Sequence, residues 1–257
     1  MLVHDTLNHM LRVYKTNNVL IEYTTNCNLR CSYCSVSQPD WPGMDLDQNL
    51  ADEITQAVIK RSPQYAVIHG HGETTIVKGW ERHAKAFFDA GISVNICSNL
   101  AKTYTDEEIT TLSRLRRLTV SIDTIDPELF RKLRRGGNVE KVLSNLSRIQ
   151  TEARGRGKEI SVGFSIVCSD KSVWGLYDLV KRGTEMGVLA FTFCNLGVLA
   201  TPEGGLETKH VSEMSVYDCH KILKMFAEIK MLCEQNNRIF DMKSGIVDTI
   251  RAKINDK

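Results

Sequence analysis

Short apolar runs alternate along the chain with longer stretches in which apolar residues recur every third or fourth position. The first pattern is that of a buried strand and the second that of a helix with one buried face. Strands are predicted at Val19–Tyr23, Tyr65–His69, Ile92–Cys97, Leu118–Asp123, Ile160–Val167 and Leu189–Leu196. Helices are predicted at Leu46–Lys60, Trp80–Ala90, Asp106–Leu115, Pro127–Arg134, Val139–Arg154, Val173–Met186 and Tyr217–Gln235. Asp45 and Thr105 read as N-caps, because a short side chain there can accept an orphan backbone N–H. Pro127 suits a first helical position. Gly91, Gly187 and the Gly155–Gly157 stretch read as helix ends. The alternation of strand and helix implies an α/β chain of six βα units around a parallel sheet.

Composition narrows the functional class. The chain has 257 residues, 42% hydrophobic and 25% charged, an ordinary globular balance. A net charge of +2 argues against nucleic acid as a partner, because a nucleic-acid binder usually carries a strong basic stripe. The basic clusters Arg114–Arg117 and Arg131–Arg135 read as solvated helix ends. No apolar run reaches the length of a membrane span, and no signal-peptide pattern stands at the N-terminus. Eight cysteines in such a chain imply a reducing, cytoplasmic setting with thiols free or on metal.

Three of those cysteines carry the strongest chemical signal. Cys27, Cys31 and Cys34 form a C-x3-C-x2-C motif in the run TTNCNLRCSYCSVSQPDWPG, directly after the first predicted strand. Three thiolates so close in sequence can face one metal centre, and no fourth cysteine stands at matching spacing. That set suits a [4Fe–4S] cluster with one iron left open, whereas a ferredoxin cluster takes four. A structural zinc site is the alternative, but it usually needs a second ligand pair, which is absent at such spacing.

The motif resembles that of the radical S-adenosylmethionine (radical SAM) superfamily. The resemblance implies an open partial (βα)6 TIM-like barrel with a C-terminal helix. It divides the chain into an N-terminal extension (1–18), the barrel (19–210) and a C-terminal helical segment (211–257). It implies two cofactors, a [4Fe–4S] cluster on Cys27, Cys31 and Cys34 and S-adenosylmethionine on the open iron. One electron then cleaves the sulfonium to a 5′-deoxyadenosyl radical, which takes a hydrogen atom from the substrate. Tyr33, just before the third cysteine, corresponds to the family's aromatic residue near the adenine.

Ligands in parallel α/β sheets gather at the carboxyl ends of strands, and the remaining candidates stand there. Gly70-His71-Gly72-Glu73 is similar to the family's G-G-E-P-like turn, whose backbone and Glu contact the methionyl amino group; here Thr74 replaces the proline. His69 and His71 flank that turn and could reach substrate. Cys97-Ser98-Asn99 resembles the family's T-N-G segment, which lines the cofactor pocket. The strand containing Ser121 and Asp123 resembles the S-L-D-G…R-G segment of the molybdenum-cofactor and peptide-modifying branch. By that resemblance Ser121 contacts the methionyl carboxylate or ribose, and Arg134 or Arg135 pairs with the carboxylate through its planar fork. Asp123 could instead cap the helix near Pro127. Asn195 could contact the adenine. Glu22, if it faces the lumen, needs a partner and is expected to orient substrate or cofactor.

The other cysteines split two ways. Cys97, Cys168 and Cys194 fall near strand ends and are candidate hydrogen donors, although free cysteine is often a small buried hydrophobe. No cysteine-dense C-terminal stretch follows, so a single cluster is expected. The implied partners are a small molecule, a sugar among them, or a peptide as substrate, and an electron donor such as flavodoxin or ferredoxin. Two other functions fit the pattern: an activating enzyme for a glycyl-radical protein, and a non-catalytic iron–sulfur or zinc regulator. The Gly197–Lys209 region, with Gly204 and Gly205 as hinges, is expected to cover the barrel mouth and carry specificity.

Overall fold

The structure is a computed structural model that describes residues 18–197 and 203–255. Most of the expected N-terminal extension and residues 198–202 of the mouth loop lie outside the described residues. The strands are β1 (Asn18–Ile21), β2 (Arg30–Cys31), β3 (Tyr65–Ile68), β4 (Ser93–Ser98), β5 (Arg117–Ser121), β6 (Arg134–Arg135), β7 (Ser161–Cys168), β8 (Ala190–Asn195) and β9 (Ile239–Met242). The main sheet runs β1-β3-β4-β5-β7-β8-β9, with every neighbouring pair parallel. β1 and β9 stand at opposite edges, so the sheet is open rather than a closed barrel. The crossovers are made by α1 (Gln48–Arg61), α2 (Trp80–Asp89), α3 (Asp106–Ser113), α4 (Pro127–Leu133), α5 (Val139–Gly155), α6 (Leu176–Glu185) and α7 (Val216–Gln235), and α8 (Ile246–Asn255) follows the last strand.

The partial-barrel architecture expected from the sequence is present, with one strand more than the six counted there. β9 is four residues long and follows a tight reversal in which Asn237 takes φ +53°. The residues after 210 therefore supply a helix, a seventh parallel strand and a second helix, and α7 is a crossover onto the sheet.

Local chemistry fixes the helix starts. Thr105 caps α3 and forms a reciprocal capping box with Glu108. Asp126, not Asp123, caps α4 by accepting from Leu129 N at 2.7 Å, with Pro127 in the first turn. Asp47, not Asp45, caps α1. Asp45 is held instead by Thr24 and by Asn26 Nδ2, which brings the start of the cysteine loop against the segment entering α1.

The two faces of the sheet differ. On the helix side Val94, Leu118, Val120, Phe164 and Ile166 are buried against Val142, Leu146 and Ile149 of α5 and their neighbours. The alternate positions, Asn95 and Cys97, Thr119 and Ser121, then Ser165 and Thr192, form a half-buried polar face. A TIM-barrel interior is normally packed with branched apolar side chains. A polar inner face in a parallel sheet leaves space with hydrogen-bonding capacity, as a ligand requires.

Candidate active site

The carboxyl ends of β3, β4, β5 and β7 and the loop between β1 and β2 enclose one cavity of about 220 Å3. Cys27, Cys31 and Cys34 all line it. So do Tyr33, the Gly70–Glu73 turn, Cys97, Ser98, Asn99, Ser121 and Arg134, together with His69, Leu29, Ser165 and Val167. Asp123, Arg135, Asn195, Cys168 and Cys194 are not among its walls.

Backbone contacts explain how the cysteine loop comes to face the turn after β3. Glu73 N donates to Asn26 O at 2.8 Å. A Cβ on Gly72 would fall 2.3 Å from Thr24 O and 2.4 Å from Asn26 O, so only glycine permits this approach. The nearest atoms to a Cβ on Gly70 belong to the Glu22 side chain, whose part-exposed carboxyl end can swing away, rather than to backbone. Gly72→Ala is therefore expected to destabilise the chain by about 1–3 kcal/mol and Gly70→Ala by less, read as the shift in urea midpoint of the two variants. Glu22 has the partner it needs: its carboxylate accepts from His71 N and lies 3.4 Å from His71 Nδ1. It does not line the cavity.

The other side of the loop is clamped to α4. Cys31 pairs with Arg134 across the β2–β6 ladder, Ser32 N donates to Leu133 O at 2.8 Å, and Ser32 Oγ donates to Lys132 O at 2.9 Å. Below it lies a buried ion pair. Arg134 Nε and Nη2 donate to the two oxygens of Asp123 at 2.8 and 3.0 Å, in the bidentate geometry of a guanidinium and a carboxylate. Tyr33 Oη and Val167 N donate to the same carboxylate. Asp123 is 1% exposed and Arg134 6%. The structure thus corrects two expectations. Asp123 has four donors on its oxygens and acts as the hub of the clamp, and the Arg134 fork grips Asp123 rather than standing free for a ligand carboxylate. Burial first, and then the Asp123 charge, raises the Tyr33 hydroxyl well above its ordinary range, so it stays a donor.

Glu73 is equally engaged. Its Oε1 accepts from Thr75 N, Thr75 Oγ1 and Ser98 Oγ at 3.1, 2.7 and 2.9 Å, and its Oε2 accepts from Asn99 N at 2.7 Å. The carboxylate ties the glycine turn to the end of β4 and keeps one lone-pair direction on Oε2. Thr75 and Tyr104, which complete this network at 2.9 Å, were not singled out from the sequence. The position of Thr75 two residues after an acidic residue is a cap pattern that could have marked it.

Several other expected positions serve elsewhere. Arg135 points outward and bonds Arg30 O and Glu203 O. Asn195 holds Ser244 O at 3.0 Å and His210 at 3.1 Å. Cys168 is fully buried, and burial raises its thiol pKa. Cys194 lies 3.8 Å from Ser165 Oγ, one residue back from the cavity wall. Cys97 does face the cavity, with Ser121 Oγ at 3.5 Å, and burial holds its thiol protonated. Of the mouth loop, Leu206 N donates to Ser32 Oγ at 3.0 Å, so its described part rests on the cysteine loop.

The chemistry of the three thiols suits a metal cluster. All are free. Burial pushes the Cys31 thiol up to about 12 and raises that of Cys27, so a metal must displace their protons on binding. A tetrahedral ion would bring sulfurs to roughly 3.8 Å of one another. Among the described residues no three His, Cys, Asp or Glu side chains converge on such a point. The three cysteines line the cavity instead, and its volume of about 220 Å3 leaves room for a multi-atom group.

Comparison with known proteins agrees with this geometry. The family model described as the Radical SAM superfamily matches residues 21–164, more than half of the chain. The GTP 3′,8-cyclase of Hydrogenovibrio crunogenus is 30% identical over 138 residues, covering 51% of this chain and 41% of that protein. A probable GTP 3′,8-cyclase of Methanococcus aeolicus is 28% identical over 182 residues, covering 66% and 56%. The chain spans about half the length of these curated relatives or less. The crystal structure of Streptococcus suis SuiB bound to S-adenosylmethionine aligns over 90% of this chain and 51% of that one, with a TM-score of 0.68 and 16% identity. SuiB bound to its precursor peptide SuiA aligns over 98% and 55%, with a TM-score of 0.70 and 15% identity. The likeness to SuiB shows the fold, and the family match accounts for the cysteine motif that lines the cavity. Among the described residues no helix is long and apolar enough to cross a membrane. The chain belongs to the radical SAM superfamily, whose cofactors are a [4Fe–4S] cluster and S-adenosylmethionine.

Proposed function

We propose that the cavity is the catalytic site of a radical SAM enzyme acting on a small molecule or a peptide. The observation that carries this is the arrangement of the three free thiols of one loop around a single space walled by strand ends, with Cys97 on β4 as the one other thiol in that wall. When bound, the cluster and S-adenosylmethionine supply a 5′-deoxyadenosyl radical that takes a hydrogen atom from the substrate. Cys27, Cys31 and Cys34 hold the cluster. The Gly70–Gly72 backbone and the remaining lone pair of Glu73 Oε2 receive the methionyl ammonium. Ser121 Oγ receives the carboxylate. Ser98 and Asn99 shape the β4 side of the pocket, and Tyr33 packs toward the adenine. The half-buried polar face beyond Ser121 and Ser165 accepts the substrate, and Cys97 is the thiol placed to return a hydrogen atom to it. Reduction requires an external one-electron donor of the flavodoxin or ferredoxin kind.

The cyclase relatives and the peptide-bound SuiB structure make nucleotides and peptides the first substrates to try. The test is anaerobic reconstitution with iron and sulfide, followed by dithionite and S-adenosylmethionine. Release of 5′-deoxyadenosine is expected even without substrate, at a slow rate that the true substrate increases. A reconstituted protein that binds the cluster yet releases none, with or without candidate substrates, overturns the proposal.

A further inference from the structure

The three cysteine sulfurs do not share one environment. Cys27 Sγ accepts from Leu29 N at 3.4 Å and from the side-chain amide of Asn99 at 3.6 Å. Among the described residues no hydrogen bond is directed at the sulfur of Cys31 or Cys34. The Asn99 amide is held in a single orientation. Its Oδ1 accepts from Ala101 N at 2.8 Å, which assigns Nδ2 as the group facing the loop. The second Nδ2 hydrogen goes to Asn28 Oδ1 at 2.9 Å. The Asn99 backbone N–H is fixed by Glu73 Oε2. Both amide hydrogens are thus placed by the fold, one of them on the sulfur of a candidate cluster ligand. The residue is 6% exposed, so water does not compete for that hydrogen bond.

We infer that Asn99 is a positioning residue that sets the reduction potential of the cluster through Cys27, an inference that rests on the proposed function above. A hydrogen bond donated to a ligating sulfur withdraws electron density and favours the reduced, more negative cluster. Hydrogen bonds to sulfur are among the recognised levers on iron–sulfur potentials. The asymmetry makes the Cys27 corner the electron-poor one.

The test compares wild type, Asn99→Ser and Ser98→Ala after anaerobic reconstitution, with the midpoint measured by redox titration followed by electron paramagnetic resonance. Serine at 99 can still accept from Ala101 N and keep the turn, but it cannot reach Cys27. The expected result is a midpoint shifted to more negative potential in Asn99→Ser, at unchanged iron and sulfide content, and no shift in Ser98→Ala. An unshifted or more positive midpoint in Asn99→Ser, with the wild-type cluster intact, overturns the assignment to Asn99 alone. An equal shift in both variants also overturns it, because a general loosening of the Glu73 network would then be the cause. A wild-type chain that assembles no cluster overturns the underlying reading, and this inference with it.

Discussion

Replacing any one of Cys27, Cys31 or Cys34 by alanine is expected to leave the reconstituted protein colourless and unable to release 5′-deoxyadenosine from S-adenosylmethionine. No other cysteine belongs to the loop that carries the three. Cys97, the other thiol on the cavity wall, stands on β4 outside the cysteine loop and is engaged with Ser121 across the inner face of the sheet. Cys194 stands behind it beside Ser165, and Cys168 is fully buried. A two-thiol remnant would also have to displace protons that burial holds on the sulfurs, most of all on Cys31. Cys233→Ala is the matched control, since that thiol is buried in α7 away from the cavity, and it should keep full colour and activity. Ultraviolet–visible spectra and iron and sulfide assays decide the matter. Full cluster content in all three variants would mean that other atoms hold the metal.

Asp123→Ala is expected to have the largest effect on stability. The substitution leaves a guanidinium buried without its carboxylate, and it strips Tyr33 Oη and Val167 N of their acceptor. Breaking a buried pair by removing one partner costs about 3–5 kcal/mol. For a chain of this size that corresponds to a fall in Tm of about 10 °C. The double variant Asp123→Leu with Arg134→Met replaces the pair by apolar groups of similar volume and is expected to recover most of the loss. It should not recover cofactor cleavage, because the hydroxyl of Tyr33 then has no anchor and the loop loses its clamp. Thermal melts of the apoproteins separate the two effects from cluster loss. An Asp123→Ala melt that coincides with wild type would remove the ion pair from any structural role.

How far the sequence carried can be judged position by position. The cysteine triplet and the glycine turn were legible because their spacing is a local property and chemistry restricts it tightly. Strand parity would have said more than was drawn from it. Ser165 and Cys168 are three residues apart and therefore lie on opposite faces, so they could not both reach the lumen, and Cys168 indeed packs among the helices. The choice between Arg134 and Arg135 was not legible. They sit in a two-residue strand, where one side chain turns inward to Asp123 and the other outward to Glu203 O, and only the pairing with Arg30 and Cys31 decides which. Asp123 misled because strand β5 stops at Ser121, so the two-residue alternation of a strand does not carry Asp123 onto the face of Ser121. The last strand escaped because four residues are too few to show a period. The helix after it did carry a signal in Ile246, Ile250 and Ile254, spaced by four along one face.

The contacts that clamp the cysteine loop come from parts of the chain far apart in sequence. Ser32 meets the carbonyl of Lys132 a hundred positions later, and Leu206 reaches back across 174 to the same serine. A nascent polypeptide that has not yet emerged past Arg134 therefore has thiols but no chamber. The space that the three thiols line also needs Ser165 and Val167, so it is complete only when the chain through β7 has folded.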